Sequence, residues 1–459
     1  MASSGKPKRS SGLARGLASH VAGRLKKSVQ PGDHLVLGLS GGIDSMVLLD
    51  VLARLSSRAR FNLRALHVDH QLSPNSAAWA RFCRRACRSR GVPCRVLKVD
   101  VPRANSVERA AREARYAAFA QMRAQYIVLA HNADDQAETV LLQLLRGAGV
   151  KGLAAMPFMR TPNASTTARQ PAIIRPLLDV PRVDIERYAR RRKLEWIEDE
   201  SNVDARYTRN WARRELLPRI AERLPAYRSV LTRAARNMGE ASALLDELAR
   251  IDAAKASDPR GLCVEALRAL SPARAKNLLR FLIDSYGWRM PDASRLTEAL
   301  RQALHARADS NLAVSLGSCE LRRHRGFVHL VAARTHSAAD RLRVIWRGQR
   351  EIALPDAGGV LEMARARGAG MSALRLESQP VTIRRRQGGE RLQADAKRPR
   401  RSVKNLLQEA GVPTWQRERL PFIYCGDDLV CIPGVAVDWR FLARRGERGI
   451  VPSWRETDT

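Results

Sequence analysis

The chain is short of acid, short of aromatic rings and without paired cysteines. Of its 459 residues only 46 are Asp or Glu, against 81 Lys or Arg, which leaves a formal charge of +35 and a pI near 11.2. A small-molecule enzyme has no need of such a surplus, and the excess points to a polyanionic partner such as nucleic acid. A GC-rich coding bias would also raise arginine, but bias alone does not gather the charge into patches. Aromatics make up 5% and apolar residues 45%, the balance of a ring-poor globular protein long enough for two or three domains. The seven cysteines, at positions 83, 87, 94, 263, 319, 425 and 431, include no C-x-x-C pair and read as free thiols of a reducing compartment. No apolar run approaches the roughly 18 residues that a membrane span requires. The expectation is a soluble, cytoplasmic protein with no membrane partner. The stretch 1–32 holds no acidic residue. It reads as a basic tail leading into a short amphipathic helix, although an organelle transit peptide has the same look.

No Walker loop is present either, since no G-x-x-x-x-G-K-[ST] occurs. In its place stands Leu39-Ser40-Gly41-Gly42-Ile43-Asp44-Ser45, after the apolar run His34 to Leu39 and before Leu48, Leu52 and Leu55 at helical spacing. The pattern predicts a buried strand, a tight turn and a helix. Adjacent glycines let backbone N–H groups approach a ligand, and the helix start adds its positive dipole end, so the turn suits an oligophosphate. Ser40 and Ser45 add hydroxyl donors. Asp44 would repel a bare phosphate and therefore argues for a divalent cation, Mg²⁺.

Further short apolar runs at Asn62–Val68, Cys94–Val99 and Tyr126–Ala130 alternate with helical patterns. This predicts an α/β fold with a doubly wound parallel sheet, in which ligands sit beyond the carboxyl ends of the strands. His67-Val68-Asp69-His70 and His131-Asn132-Ala133-Asp134-Asp135 both fall at such ends, so they share a crevice with the glycine turn. Their His and Asp content also fits, loosely, a transition-metal site. Asp134 and Glu138 lie one helical turn apart and present two carboxylates at the mouth of the crevice, suited to a cationic substrate. The glycines of Gly147 to Gly152 match G-x-G-x-x-G but follow a helix, so the dinucleotide fingerprint fails its context. The stretch 161–171 reads as irregular, and Arg175-Pro176-Leu177-Leu178 as the lead into a helix.

SGGIDS resembles the PP-loop of ATP pyrophosphatases. Together with HVDHQLSPNS, HNADDQAET, LLRGAGVKGLAAM, RPLL and EDESNVDARYTRNWARRELLP, it is similar in order and spacing to the bacterial tRNA(Ile)-lysidine synthetase family. That resemblance covers about residues 32–220 and implies a ligase. Such an enzyme uses ATP to adenylate C2–O of the wobble cytidine in isoleucine tRNA with a CAU anticodon, and free L-lysine then displaces AMP. It implies nucleotide contacts from Ser40 to Ser45, His67, Asp69 and His131, and Mg²⁺ on Asp44 and Asp135. Asp134 and Glu138 would recognise lysine, and Arg112 would stabilise the reacting phosphoryl group. Arg206, Arg209 and Arg213 would bind tRNA.

The segment 221–335 reads as a mostly helical middle domain closed by short strands, and 344–459 as a small α+β domain, after a leader over 1–31. Between Arg384 and Lys404 nine basic residues face two acidic ones. With Lys404-Asn405-Leu406-Leu407 and Pro413-Thr414-Trp415, this patch resembles the tRNA-clamping domain of the same family, which assigns Arg384, Arg391 and Lys404 to tRNA. A tRNA thiolase would want a C-x-x-C pair, which is missing. A non-catalytic, nucleotide-dependent RNA-binding protein is the reading from another class, and a homodimer is compatible with everything above.

Overall fold

The computed structural model describes residues 10–101, 107–162, 170–198, 208–307, 310, 312–333 and 342–456. They form two compact units, 1–248 and 249–459.

The first unit is built on a six-stranded sheet. Its strands are β1 (His34–Gly38), β2 (Asn62–Asp69), β3 (Cys94–Lys98), β4 (Tyr126–Val128), β5 (Met159–Arg160) and β6 (Ala172–Ile174), in the order β3-β2-β1-β4-β6-β5. All pairings are parallel except that of β5 with β6. The helices are α1 (Ser10–Leu25), α2 (Ile43–Ala59), α3 (Ser76–Arg88), α4 (Val107–Ala120), α5 (Ala133–Leu145), α6 (Val150–Leu153), α7 (Arg182–Arg191), α8 (Thr208–Trp211), α9 (Leu217–Arg223) and α10 (Tyr227–Ala256), the last running on into the second unit.

Alternation along the strands gives the sheet two apolar faces, as double winding requires. Leu35 and Leu37 of β1 point into one core with α1, α2, α3 and α7, while Val36 points into another with Phe119 of α4. In the same way Val128 and Ile174 join the first core, and Ile127 and Ile173 the second. Helix α2 is buried at every position from Ser45 to Leu52, which explains why its apolar residues extend beyond one stripe.

Two boundaries differ from the sequence reading. The short strand β6, three residues following a polar stretch, carries too little pattern to be separated from a loop, yet it pairs with β4 in the sheet. The region assigned to a leader over 1–31 contains α1, whose Leu17, Val21 and Leu25 are buried in the main core. Residues 1–9, most of the expected tail, lie outside the described residues.

The order β3-β2-β1-β4 puts the topological switch at β1, which pairs with both β2 and β4. A crevice opens there beyond the strands' carboxyl ends. The glycine turn follows β1 and the HNADD segment follows β4, so both reach it.

In the second unit, helices Val264–Ala269, Pro272–Ser285 and Ala293–His305 pack on a five-stranded sheet that includes the hairpin Cys319–His324 and Phe327–Ala332. Three more sheets, of five, four and two strands, follow between Arg343 and Glu456 with short helices between them. Between the two expected domains, 221–335 and 344–459, only Leu342 and Arg343 lie among the described residues. No described helix is long and apolar enough to cross a membrane.

Candidate active site

The turn after β1 is folded by its own serines. The amide of Gly41 donates to Ser45 Oγ at 3.1 Å and that of Gly42 to Ser40 Oγ at 3.3 Å, while Ser45 Oγ donates to the Gly42 carbonyl at 2.9 Å. Ser45 is buried, so its hydroxyl shapes the turn, whereas Ser40 is exposed. Gly42 stands at the N-cap of α2 with no side-chain cap, which leaves the helix's first amides, from Ile43 onward, for a ligand. Gly41 has φ of +91°, and a Cβ there would lie 2.5 Å from Ile197 Cδ1 and 3.2 Å from Cys83 Sγ. Ile197 is held in place by its amide bond to the Gly41 carbonyl, 2.9 Å long. Gly41→Ala is therefore expected to weaken ATP binding at least tenfold and to destabilise the fold by about 1–3 kcal/mol. Gly42→Ala, at φ of −70° with only Ser40 Oγ near at 3.5 Å, should leave the fold unchanged. Calorimetric ATP titration and thermal melting of the two variants check both halves.

Helix α5 starts with a reciprocal cap. Asn132 Oδ1 accepts from the amides of Asp134 and Asp135 at 2.9 and 3.0 Å, and Asp135 Oδ2 accepts from the Asn132 amide at 3.0 Å. The second end of the Asn132 side chain reaches across the crevice, where Nδ2 donates to Asp44 Oδ1 at 3.0 Å. One buried amide thus ties the glycine turn to the acidic helix end across 88 residues of sequence. Sequence reasoning gave Asn132 no role, although an Asn at a helix start with an acid three residues on is a legible cap signature. Burial, and then the nearby Asp135 carboxylate, push the Asp44 carboxyl up to about 6, against the smaller opposing effects of Arg182, Asn132 and Arg213.

The other carboxylates of α5 face guanidinium groups. Arg209 of α8 and Arg213, in the widened π-turn Ala212–Leu216, lie four residues apart and meet Asp135 and Glu138, which lie three apart. Arg209 Nε and Arg213 Nε bond Glu138 at 2.9 and 2.5 Å, and the Nη2 atoms bond Asp135 Oδ1 at 3.2 and 3.0 Å. One expected position is corrected here. Glu138 is 1% exposed, not at the mouth of the crevice, and its charge is matched by two arginines. Arg209 and Arg213, expected at RNA backbone, face these acids here, with side chains 27% and 33% exposed. Asp134 differs: it accepts from the Arg182 amide at 2.9 Å and pairs with Arg228 of α10, and its side chain is 17% exposed. Beside it a cavity of about 470 Å³ is lined by Ala133, Asp179, Arg228, Thr232, Arg233 and Arg236.

The remaining predicted residues divide between supports and groups elsewhere. His67 is buried and its Nδ1 lies 2.8 Å from the Leu39 carbonyl, bracing the residue that enters the glycine turn. Asp69 is buried and accepts from the Gln71 amide at 2.9 Å, at a turn where Gln71 has φ of +53°. His131 borders the site with a buried Nδ1 that has no partner among the described residues; burial, helped by Arg175 and opposed by Asp135, pushes its pKa down and keeps it neutral. Arg112 stacks on Tyr116 of its own helix, 5.3 Å from the ring centre, and no described contact joins it to Asp44 or Asp135. Arg206 lies outside the described residues. In the second unit, Arg391 and Lys404 are exposed, whereas Arg384 is partly buried, stacked on Tyr424 and bonded to Thr382 and Gly426.

Among the described residues no three His, Cys, Asp or Glu side chains converge as a transition-metal site. The acid pair nevertheless suits a hard divalent cation at Asp44. Its Oδ2 accepts no hydrogen bond among the described residues, and its raised pKa marks a carboxylate short of counter-charge. Asp135 fits less well as a direct ligand, since Oδ1 already accepts from two guanidiniums and Oδ2 from the Asn132 amide.

A PP-loop domain family matches residues 17–220, a TilS substrate binding domain 262–329 and a TilS substrate C-terminal domain 381–454. The tRNA(Ile)-lysidine synthase of Nitrosomonas europaea is 42% identical over 433 residues, covering 94% of this chain and 93% of that relative. That of Chromobacterium violaceum is 42% identical over 424 residues, 91% and 94% of the two chains. The corresponding protein of Ralstonia nicotianae is 41% identical over 420 residues, 88% and 89%. Among solved structures, a U34-tRNA thiolase from Methanococcus maripaludis aligns over 52% of this chain and 83% of its own, at 16% identity and a TM-score of 0.44.

Proposed function

This chain belongs to the tRNA(Ile)-lysidine synthase family, and from that premise we propose how its own residues divide the reaction. It is a ligase that forms lysidine on tRNA(Ile), and its PP-loop domain uses ATP. In the proposed sequence, C2–O of the wobble cytidine in the CAU anticodon attacks the α-phosphorus. The bond to the β-phosphate oxygen breaks and pyrophosphate leaves. The ε-amine of free L-lysine, having lost its proton, then attacks C2; the C2–O bond breaks and AMP leaves.

The observation that carries this division of roles is the bond from Asn132 to Asp44, because it holds the phosphate turn and the acidic end of α5 in one place. The amides at the start of α2 receive the departing phosphates. Asp44 would hold Mg²⁺ directly, with Asp135 adding negative charge nearby, and such an ion would supply charge neutralisation for the leaving pyrophosphate. Arg209 and Arg213, held rigid by Glu138 and Asp135, stand ready to stabilise charge developing at the reacting phosphorus. Free lysine takes the cavity beside Asp134, where Asp134 and Asp179 suit its ammonium groups and Arg233 and Arg236 its carboxylate. His67 and Asp69 act as supports, and Arg391 and Lys404 bind tRNA backbone. A homodimer and a cytoplasmic location are compatible with this reading and are not required by it.

Incorporation of labelled lysine into tRNA(Ile), with ATP present and absent, tests the activity; ATP-independent or absent incorporation overturns it. Two further outcomes check particular roles. Asp134→Asn is expected to raise the lysine KM roughly tenfold, as loss of a charge-assisted contact does, with little effect on pyrophosphate release. Replacing Arg391 and Lys404 together by Ala should lower the slope of log K against log salt for tRNA by about 0.7 to 0.9 per lost phosphate contact. A slope equal to the parent's would make both residues solvated bystanders.

A further inference from the structure

On the α4 side of the sheet three guanidiniums collect around one phenol. Arg112 and Arg160 stack on the Tyr116 ring at 5.3 and 5.1 Å from its centre, and Arg175 approaches its hydroxyl. Among the described residues, none of Arg112, Arg160 and Arg175 pairs with a carboxylate. That is unusual company for like charges, which repel at this range unless a counter-ion joins them. By contrast, the arginine pair Arg209 and Arg213 is matched by Asp135 and Glu138.

Arg175 makes the case sharper. It is 3% exposed, Nη1 donates to the Pro157 carbonyl at 2.9 Å, and Nε is buried with no hydrogen-bond partner among the described residues. The Tyr116 hydroxyl is likewise buried without a well-formed hydrogen bond. Burial, with Arg160 and Arg112 adding to it and Tyr116 opposing, lowers the Arg175 pKa. A buried cation with an unused donor, beside two exposed cations held by an aromatic plate, is a site prepared for an anion from outside. The cluster also borders the reaction centre, since Arg175 is among the charges that act on His131.

We infer that Arg112, Arg160 and Arg175, organised by Tyr116, form a phosphate-binding site, and that the phosphate belongs to the single-stranded RNA flanking the target base. ATP is the other source of the same chemistry. It is disfavoured because the glycine turn and the uncapped start of α2 already supply donors for its phosphates, and no described contact joins the exposed Arg112 and Arg160 to that turn. The inference rests on the proposed tRNA substrate. It moves Arg112 from the reacting phosphoryl group to RNA positioning, and adds Arg160, Arg175 and Tyr116.

The test uses the full chain with Arg112→Gln and Arg160→Gln, both at exposed positions, so that melting curves should match the parent. Each protein is titrated with an anticodon stem-loop RNA bearing the CAU loop, over a range of salt, and separately with ATP alone. Each variant is expected to bind the RNA roughly tenfold more weakly, with the salt slope lowered by about 0.7, and to bind ATP as the parent does. Unchanged RNA affinity overturns the inference, and if ATP affinity falls instead the phosphate is the nucleotide's. Lysine incorporation by the parent is measured in the same preparation. Its absence, with RNA binding still dependent on Arg160, would remove the proposed activity and leave this site standing; its presence, with RNA binding indifferent to both arginines, would do the reverse.

Discussion

Asp44→Asn is expected to reduce ATP-dependent adenylation of the tRNA by roughly a thousandfold, the scale on which removal of one electrostatic contributor acts at a charge-developing centre. The side chain sits in the first turn of α2, where the helix dipole favours an acid, yet burial and the neighbouring Asp135 raise its carboxyl to about 6. Only one of its oxygens is engaged by a described residue, through Asn132. An amide of equal volume can still accept that bond, so the link between the two loops survives. What is lost is the charge that holds the cation opposite the departing pyrophosphate. Relief of repulsion from Asp135 should leave the melting temperature at or above that of the parent. Pyrophosphate release, followed with tRNA(Ile) and ATP but no lysine, reads the step directly. A rate within tenfold of the parent at saturating Mg²⁺ would remove Asp44 from the metal site.

The glycine turn was legible because strand, turn and helix signals are all local: an apolar run into Leu39, two glycines, and leucines at helical spacing from Leu48. The crevice was legible one step further on, since parallel alternation fixes which strand ends share an edge. What the sequence could not show is which charges cancel. Glu138 and its partners Arg209 and Arg213 are 71 and 75 residues apart in the chain, and no periodicity links them. A carboxylate pair at 134 and 138 therefore looked alike at both ends. The fold gives one a rim position beside a cavity and the other a buried seat under two guanidiniums. The core role of α1 is less legible: Leu17, Val21 and Leu25 recur at four-residue spacing and mark an amphipathic helix, but nothing local shows that its apolar face joins the main core.

That difference between Asp134 and Glu138 leads to an outcome opposite to the one their spacing suggests. A carboxylate waiting for lysine would, when neutralised, raise the lysine requirement and leave adenylation alone. Glu138→Gln should instead depress adenylation, by about a hundredfold, with the apparent lysine affinity unchanged. The amide can accept from one guanidinium but its NH₂ group faces the other, so Arg209 and Arg213 lose the fixed geometry that presents them to the reacting phosphate. Folding stability should fall as well. Removing one partner of a fully buried ion pair costs about 3–5 kcal/mol, but Arg209 and Arg213 are 27% and 33% exposed and keep Asp135, so about 2 kcal/mol is the reasonable scale. Because stability and catalysis fall together, Glu138→Asp serves as the discriminating control. It retains the charge on a shorter arm and should recover most of the stability while recovering little of the rate, because the guanidiniums would be drawn back towards α5. Pyrophosphate release, lysine KM and melting temperature measured on both variants decide the matter. A rise in lysine KM with adenylation intact would return Glu138 to the substrate and require its arginines to part when lysine binds.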